Sequence, residues 1–503
     1  MTATTFLALD LGAESGRAMS GSFDGTRLAV EEIYRFPNRP VQVHDGLHWD
    51  VLALYAGILD GLAAQVARSG PSLRGVGIDA WGVDFALLAA DDTLTGLPYH
   101  YRDRRTRGML QAALQRLSRE EIFSYTGVQF MELNTLYQLL AMRRSGAAAL
   151  NYATTLLLMP DLFNFWLSGH KASEWTVAST TQMCDPRTHR WSEPLLQALD
   201  LPTRLLQPIV EPGTVLGSLL PSVAAQAGLS QHGSQVHVVA PACHDTGSAV
   251  VAIPTATPHF GYISSGTWSL VGAETSEPAL GAAALQHNFT NEGGVDNTYR
   301  VLKNISGLWL VQECRRIWLR AGRNWSYAEL TELAQAAPAF RALIDPNHPA
   351  FVAPDDMPAA IRERCRATGQ PVPEREGEIV RCALESLALT YRKTFEELAE
   401  VLGRPVDAVH IAGGGSQNRL LCQFTADALG LPVLAGPVEA TALGNLLVQM
   451  RSAGLVSSLA EMREIVRRSV ALERFEPREH AAWDEAYGRF RELLGASTQD
   501  NAA

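Results

Sequence analysis

Residues 242–250 have the sequence ACHDTGSAV and follow directly on the apolar run VHVVAP at 236–241. The apolar run predicts a short buried strand, and the small residues after it predict a turn beyond its carboxyl end. In open α/β sheets ligands bind outside the carboxyl ends of strands, so a carboxylate there is well placed for chemistry. Asp245, flanked by the hydrogen-bond donors His244 and Thr246, is therefore our candidate general base. The alternative is that Asp245 only caps a helix beginning near Gly247.

The chain has 503 residues, a length that predicts about two large domains. Hydrophobic residues make up 47% and charged residues 19%, which is typical of a globular protein. The formal net charge of -11 argues against a general nucleic-acid or acidic-membrane partner. It leaves room for a local basic pocket that binds a phosphate.

The six cysteines form no C-x-x-C pair and no Cys/His cluster at metal-ligand spacing, which argues against a disulfide framework or a structural zinc. Cys365 and Cys382 are a candidate pair, although the reduced state is the default in cytoplasm. The first residues lack the basic region and the long apolar run of a signal peptide. No stretch reaches the ~18 consecutive apolar residues of a membrane span. We therefore expect a soluble, cytoplasmic protein.

Residues 6–23 predict a β-hairpin whose turn, AESGR at 13–17, is rich in small residues. Its backbone N–H groups and the Ser15 hydroxyl suit a phosphate, and Arg17 offers a charge-assisted contact. Asp10, at the end of the first strand, is a candidate Mg²⁺ ligand. An ordinary hairpin with an exposed arginine remains the alternative. The chain has neither G-x-x-x-x-G-K-[ST] nor G-x-G-x-x-G, so a nucleotide would be bound by another architecture.

Residues 259–272 repeat the pattern of strand, small-residue turn and strand, which predicts two similarly built halves. Thr267 is then the second phosphate-facing hydroxyl. Further on, three glycines at 413–415 stand between a predicted strand at 406–412 and a predicted helix at 419–429. Such a junction suits an anionic or planar ligand, because no Cβ blocks the backbone.

The sequence also predicts helices and a surface insertion elsewhere in the chain. Residues 51–67 and 377–401 predict amphipathic helices, and residues 104–170 predict a helical region with a new start at Met159-Pro160-Asp161. The six prolines within 345–375 predict a long surface insertion, either a lid or plain decoration. Trp81, beside Gly82, is either a sugar-facing aromatic or a core residue.

Eight blocks in order give the chain a family resemblance: DLGAESGR (10–17), GIDAWGVDF (77–85), CHDTGSAV (243–250), SSGTWSL (264–270), NFTNEGG (288–294), LKNISGLW (302–309), GGGSQN (413–418) and GPVEATALGN (436–445). Together they resemble the FGGY carbohydrate kinases of the actin/heat-shock-chaperone/sugar-kinase superfamily. The resemblance implies an α/β fold with two ribonuclease-H-like domains and a cleft between them. The domains implied are 1–253 on the sugar side and 254–460 on the nucleotide side, with a helical tail at 461–503.

The resemblance also implies roles for individual residues. Asp245 is the catalytic base, and Asp10 helps to place Mg²⁺. The implied nucleotide contacts are Ala13, Glu14, Ser15, Gly16, Arg17, Thr267, Gln312 and Gly414. The implied sugar contacts are Gly82, His244, Asp245, Thr246 and Asn304. Glu14 departs from the small polar residue that many family members carry. A carboxylate near phosphates is repulsive unless it points away or joins the water shell of the metal, so the role of Glu14 stays open.

The implied reaction is ATP-dependent phosphorylation of a ketose, with L-rhamnulose and its C1 hydroxyl as the expected acceptor. Phosphoryl transfer requires alignment, charge neutralisation and a base for the attacking hydroxyl, which Asp245 would supply. Two alternatives stay open at this stage. One is a kinase of another ketose, such as L-fuculose or a pentulose. The other is an ATPase or a sugar-binding regulator of the same fold.

Overall fold

A computed structural model describes residues 3–70, 72–230, 232–478 and 480–500 of the chain. The chain forms two compact units: the first comprises 1–254, 274–301 and 439–470, and the second 255–273, 302–438 and 471–503. The chain first passes from one unit to the other after Pro254, next to the predicted domain boundary at 253/254. Residues 274–301 and 439–470 then return to the first unit. The assignment of a sugar side and a nucleotide side stays a prediction.

A six-stranded sheet forms the centre of the first unit. Its strands stand in the order Thr214–Ser218, His237–Ala240, Leu73–Ala80, Thr4–Leu11, Ser15–Phe23 and Leu28–Pro37. The first three strands in chain order are antiparallel neighbours, whereas Leu73–Ala80 runs parallel both to Thr4–Leu11 and to His237–Ala240. Residues 6–11 are buried without alternation, as expected for a strand that is covered on both faces.

Helices cover both faces of this sheet. Gly61 of the helix Val51–Ser69 lies over Ala18, and Leu446 of the helix Ala440–Ser452 lies over Gly21. Ala18 and Gly21 are an odd number of residues apart on one strand and so face opposite sides. The helix Val51–Ser69 is long and apolar enough to cross a membrane, but its Leu54, Ile58 and Leu62 are buried in this core.

The second unit repeats the arrangement. Consecutive neighbours in its sheet are Tyr299–Ser306, Trp268–Thr275, Phe260–Ser265, Ala408–Ala412, Val433–Ala435 and Glu473–Phe475. Phe260–Ser265 is antiparallel to Trp268–Thr275 and parallel to Ala408–Ala412, which is itself parallel to Val433–Ala435. Numbered in chain order, the six strands named for the first unit follow the order 3-2-1-4-6-5 and those named for the second unit 3-2-1-4-5-6, so the two halves share the arrangement 3-2-1-4. The predictions of two similar halves and of an α/β ribonuclease-H-like fold are confirmed.

The longest helix of the second unit, Glu376–Leu402, ends at Gly403 in the left-handed region, with a φ of 67°. The other helices of this unit are Trp309–Arg320, Tyr327–Ala336, Met357–Ala367, Arg419–Leu429 and His480–Asp500. The prediction of a surface insertion at 345–375 is corrected by Met357–Ala367. This helix begins with Pro358 in its first turn, and its Ile361 and Cys365 are buried against neighbouring helices. Its apolar spacing was obscured by the surrounding prolines.

The prediction of a helical region at 104–170 is also corrected, because Thr155–Leu158 is a strand antiparallel to Phe85–Leu88. The predicted new start at Met159 is confirmed, since the helix Met159–Ser168 begins there. The further helices of the first unit are Met109–Leu114, Arg119–Thr126, Thr135–Ser145, Ala148–Tyr152, Met159–Ser168, Trp175–Ala178, Glu193–Ala198, Pro221–Gln226, Asp245–Val251, Ala282–Gln286 and Leu459–Ser469. Its further strands are Pro40–Val43, Gly46–Trp49, Ser173–Glu174, Cys184–Asp185, Arg190–Trp191, Ile209–Val210 and Thr290–Gly293.

All six cysteines are free and buried. The thiols of Cys365 and Cys382 lie within hydrogen-bonding reach of each other, but they form no disulfide. In this structure the candidate pair Cys365 and Cys382 is therefore not bonded.

Candidate active site

Asp10 and Arg17 are directly opposite each other across the N-terminal hairpin. Arg17 donates one hydrogen bond to Asp10 and a second, of 2.5 Å, from Nη1 to Glu439 Oε2. Burial opposes the charge of Arg17, but the two carboxylates outweigh it and raise the pKa of the guanidinium above its ordinary value. The hairpin thus presents a cation held between two anions.

The turn between the two strands is held by its own backbone and by Asn38. The Gly12 N–H donates to the Ser15 carbonyl at 3.0 Å, and Asn38 Nδ2 donates to the Gly12 carbonyl at 2.8 Å. Glu14 is exposed to solvent. Asn38 was not singled out from the sequence, because it follows an unremarked third strand, Leu28–Pro37.

Three carboxylates influence one another at the carboxyl ends of the central strands of the first unit. Asp10 and Asp79 are partners on adjacent parallel strands, and Asp79 is fully buried with one oxygen 2.6 Å from Asn445 Nδ2. Burial, and then the charge of Asp10, raises the pKa of Asp79 well above its ordinary range. Burial also raises the pKa of Asp245, and Asp10 again adds to the effect.

The carboxylates suit a divalent cation brought in with phosphates. No group of three or more His, Cys, Asp or Glu side chains at metal-binding distance occurs among the described residues. Mg²⁺ in phosphoryl-transfer sites usually takes one or two carboxylates and fills its other positions with phosphate oxygens and water. Asp10 fits that role, since a cation there would relieve its repulsion with Asp79 and Asp245.

Asp245 is the first residue of the helix Asp245–Val251, beyond the carboxyl end of His237–Ala240. Its Oδ1 accepts hydrogen bonds from the Thr246 N–H at 2.5 Å and from the Thr246 hydroxyl at 3.2 Å, and lies 3.3 Å from His244 Nε2. Oδ2 accepts no hydrogen bond from any residue that the structure describes. The helix cap is His244, not Asp245. One carboxylate oxygen is thus fully engaged, and the other is open.

A buried glutamate braces the turn that carries Asp245. Glu174 Oε2 accepts hydrogen bonds from the Cys243 N–H at 3.1 Å and from the Thr176 hydroxyl at 2.6 Å. Thr176 Oγ1 in turn accepts the His244 N–H at 3.0 Å. Burial raises the pKa of Glu174 to about 7. Sequence reasoning missed this brace, because a two-residue strand, Ser173–Glu174, leaves no periodic signal.

The side chain of His244 is held by two residues of the segment 274–301. His244 Nδ1 lies 3.1 Å from Arg300 Nη1 and 3.2 Å from Glu292 Oε2, and the arginine and glutamate pair at 3.0 Å. Arg300 is completely buried. The NFTNEGG block contains Glu292, so the block was visible in the sequence, although its contact with His244 was not.

Gly82 lies against Thr180, and a Cβ on it would stand 2.9 Å from Thr180 Oγ1. Trp81 is 7% exposed, and its ring centroid lies 4.2 Å from that of Trp49, with the two ring planes tilted by 37°. Both indole N–H groups donate to Asp84 Oδ2, at 3.1 Å and 2.6 Å. Trp81 is therefore a core residue, and its neighbour Gly82 is left at the margin of that core.

The second unit brings the glycine-rich turn close to its own hairpin. A Cβ on Gly413 or Gly415 would meet Ser265 at 3.1 Å or 2.0 Å, so both positions require glycine, whereas Gly414 has open space. The Thr267 carbonyl accepts the Gly307 N–H at 3.2 Å.

The other two predicted site residues of the second unit, Asn304 and Gln312, lie on consecutive elements of the chain. Asn304 lies on Tyr299–Ser306, and Gln312 lies on the following helix, Trp309–Arg320. Gln312 Oε1 is buried and has no hydrogen-bond partner in the described part of the chain. An orphaned acceptor of this kind suits a ligand's N–H or O–H group.

Residues 5–252 match the N-terminal domain of the FGGY family of carbohydrate kinases, and residues 261–453 match its C-terminal domain. The chain belongs to the FGGY family of carbohydrate kinases, and it is a carbohydrate kinase. Its family implies ATP as the co-substrate.

The relatives it is similar to include a rhamnulokinase of Bacteroides thetaiotaomicron, 47% identical over 489 residues that cover 97% of this chain and 99% of that protein. A rhamnulokinase of Pectobacterium atrosepticum is 42% identical and covers 99% of this chain and 98% of that protein. Among solved structures, a xylulose kinase from Rhodospirillum rubrum superposes with a TM-score of 0.80 at 18% identity, covering 99% of this chain and 100% of that one. The solved structure supports the fold alone.

Proposed function

We propose that the protein transfers the γ-phosphoryl group of ATP to the C1 hydroxyl of L-rhamnulose, giving L-rhamnulose 1-phosphate and ADP, as a step of L-rhamnose catabolism. The similarity to rhamnulokinases at 37–47% identity over nearly the whole chain carries the choice of substrate. The arrangement around Asp245 supports the choice of base.

Asp245 has the geometry of a general base. Its Oδ1 is occupied by Thr246 and faces His244, so its open Oδ2 would receive the proton of the sugar hydroxyl. Burial and the charge of Asp10 raise the pKa of Asp245, and a more basic carboxylate is a better proton acceptor as long as it stays ionised. The sugar contacts assigned to Gly82, His244, Thr246 and Asn304 belong to the same proposal.

The nucleotide contacts are proposed on both hairpins. The backbone at 13–16 and the Arg17 guanidinium would face the phosphates, with Thr267 as the counterpart of this turn on the second hairpin. Gly414 and the orphaned Oε1 of Gln312 would face the nucleoside. Mg²⁺ would be held by Asp10 with phosphate oxygens and would neutralise charge on the transferring group.

We further propose that the protein is cytoplasmic. The co-substrate ATP is most abundant there, and six free cysteines suit a reducing compartment.

The experiment is coupled ADP release by the purified full-length chain with Mg·ATP and a panel of L-rhamnulose, L-fuculose and a pentulose. We expect the highest kcat/KM with L-rhamnulose and little release without a sugar. A higher kcat/KM for another ketose would move the substrate assignment to that sugar. Release that is independent of every sugar would instead support an ATPase, and no release would support a silent binding protein.

A further inference from the structure

The side chain of His244 connects Asp245 to the buried charge pair Glu292–Arg300. Its Nε2 faces Asp245 Oδ1 at 3.3 Å, and its Nδ1 faces both Arg300 Nη1, at 3.1 Å, and Glu292 Oε2, at 3.2 Å. The side chain of His244 is 9% exposed, so water has little access to either nitrogen. Which nitrogen carries the proton is therefore decided by the protein.

Arg300 favours one of the two tautomers of His244. A guanidinium has only donors, so the hydrogen bond between Arg300 Nη1 and His244 Nδ1 requires Nδ1 to be the acceptor. The proton of the neutral imidazole then lies on Nε2, the nitrogen that faces the Asp245 carboxylate. The opposite tautomer would let Nδ1–H face Glu292 Oε2, but it would also set that N–H against an N–H of Arg300 and leave the Nε2 lone pair against the Asp245 carboxylate.

Arg300 cannot readily turn away from this contact. Its Nε donates to the Gly293 carbonyl at 2.8 Å, and its Nη2 lies 3.4 Å from the Thr176 carbonyl. Glu292, 3.0 Å from Nη1, supplies the counter-charge that a completely buried guanidinium requires. The guanidinium is thus fixed at three atoms.

We propose that Arg300, with Glu292 as its counter-ion, is a positioning residue that holds His244 as the Nε2–H tautomer and thereby orients Asp245. The Nε2–H group attracts Oδ1, together with the two donors of Thr246, and so directs Oδ2 to the substrate hydroxyl. The inference rests on the proposed function in so far as Asp245 is the base. Arg300 and Glu292 both lie in the segment 274–301, which belongs to the first unit.

The direct test is the tautomer itself, read by long-range ¹H–¹⁵N NMR of the full-length chain labelled with ¹⁵N-histidine, with the His244 signal assigned from His244→Gln. We expect a proton on Nε2 in the wild type, in Arg300→Lys, which keeps a cationic donor, and in Glu292→Gln. In Arg300→Met the proton should move to Nδ1, which then donates to Glu292. A wild-type Nδ1–H tautomer, or an unchanged tautomer in Arg300→Met, would overturn the inference.

The kinetic test separates positioning from stability. We expect kcat to fall by about 10- to 100-fold in Arg300→Met, with the KM for ATP unchanged, and to recover largely in Arg300→Lys. Glu292→Gln should lose less, because the tautomer survives. The matched control is Glu274→Gln, which breaks the buried pair of Glu274 with Arg463 without touching His244 and should keep kcat. Equal losses in Arg300→Met and Glu292→Gln would indicate a merely structural role and contradict the proposal.

The two proposals can fail separately. The spectrum needs no substrate, so it tests the tautomer even if another sugar proves to be the acceptor. If Arg300→Met does not fold, the wild-type and Arg300→Lys spectra still decide, since an Nδ1–H tautomer in either one contradicts the assignment.

Discussion

Arg17 lies opposite Asp10 on the N-terminal hairpin and is also paired with Glu439 at 2.5 Å. Glu439 immediately precedes the helix Ala440–Ser452, so the cation of the hairpin is shared between the strand and a helix start from distant sequence. Under the proposed function, ATP phosphates compete with Glu439 for the same guanidinium.

This competition predicts opposite effects for two substitutions. Arg17→Gln removes a charge-assisted phosphate contact and should raise the KM for ATP by about 10-fold or more. Glu439→Gln frees Arg17 and should lower that KM by up to about 5-fold, since partly exposed ion pairs are worth ~0–1 kcal/mol. The measurement is the KM for ATP at saturating sugar, with Glu31→Gln, which breaks an exposed pair with Arg68, as the control. A higher KM in Glu439→Gln would show that Glu439 assists phosphate binding.

Gly82→Ala should impair binding of the sugar and leave that of the nucleotide unchanged. The new Cβ would stand 2.9 Å from Thr180 Oγ1, so one of the two must move. We expect the KM for the ketose to rise about 10-fold, because sub-ångström misplacement at a binding site is costly. Adding Thr180→Ala removes the two nearest atoms, Oγ1 and Cγ2, and leaves only Cβ at 3.1 Å, so the double variant should recover part of the affinity. Failure of the double variant to recover would show that the loss does not arise from this contact.

Gly444→Ala should destabilise the first unit. A Cβ at this position would stand 1.8 Å from the Ser248 carbonyl oxygen, where the helix Ala440–Ser452 packs on Asp245–Val251. We expect a loss of ~3 kcal/mol in the free energy of unfolding. Gly488→Ala is the matched control, because its Cβ meets no atom and should stabilise its helix by ~0.5–1 kcal/mol. Thermal unfolding measures both, and equal transition temperatures would contradict the close packing.

Glu174→Gln should change how stability depends on pH. Burial raises the pKa of Glu174 to about 7 in the folded chain, from an ordinary value of 4.5. The folded wild type therefore binds the proton more tightly than the unfolded chain, and stability is lost as pH rises from about 4.5 through about 7, by ~3 kcal/mol in all.

Glutamine does not titrate, so this variant should gain stability relative to the wild type as pH rises across that window. The difference should be constant above it. Urea unfolding between pH 5 and pH 8 provides the measurement, with the exposed Glu120→Gln as control. A difference that does not vary with pH would contradict the raised pKa of Glu174.

Local sequence patterns were sufficient to predict the main framework. The two hairpins, the strand before Asp245, and the helices Glu376–Leu402 and Arg419–Leu429 each have their own apolar period and turn residues, and the structure has them at nearly the predicted bounds. The position of Asp245 beyond a strand end follows from the same local signal.

Long-range packing was not predictable in this way. Arg300 lies 56 residues from His244 in sequence, and Asn445 lies 366 residues from Asp79, so neither contact leaves a local pattern. The helix Met357–Ala367 was missed because prolines, which usually mark loops, here occupy its first turn and its flanks. Its apolar residues can be identified as core residues only from their contacts with the neighbouring helices.

Under the proposed function, Asp245 accepts the proton of the sugar hydroxyl during phosphoryl transfer. The most direct measurement is kcat with L-rhamnulose and Mg·ATP for Asp245→Asn beside the wild type, with ATP affinity measured by calorimetry on both. Asparagine keeps the size of the side chain and can still accept from Thr246, but it is a negligible base. For Asp245→Asn we expect kcat to fall by about 10²–10⁴-fold while ATP affinity is retained. A variant that binds ATP normally and keeps the wild-type kcat would contradict it.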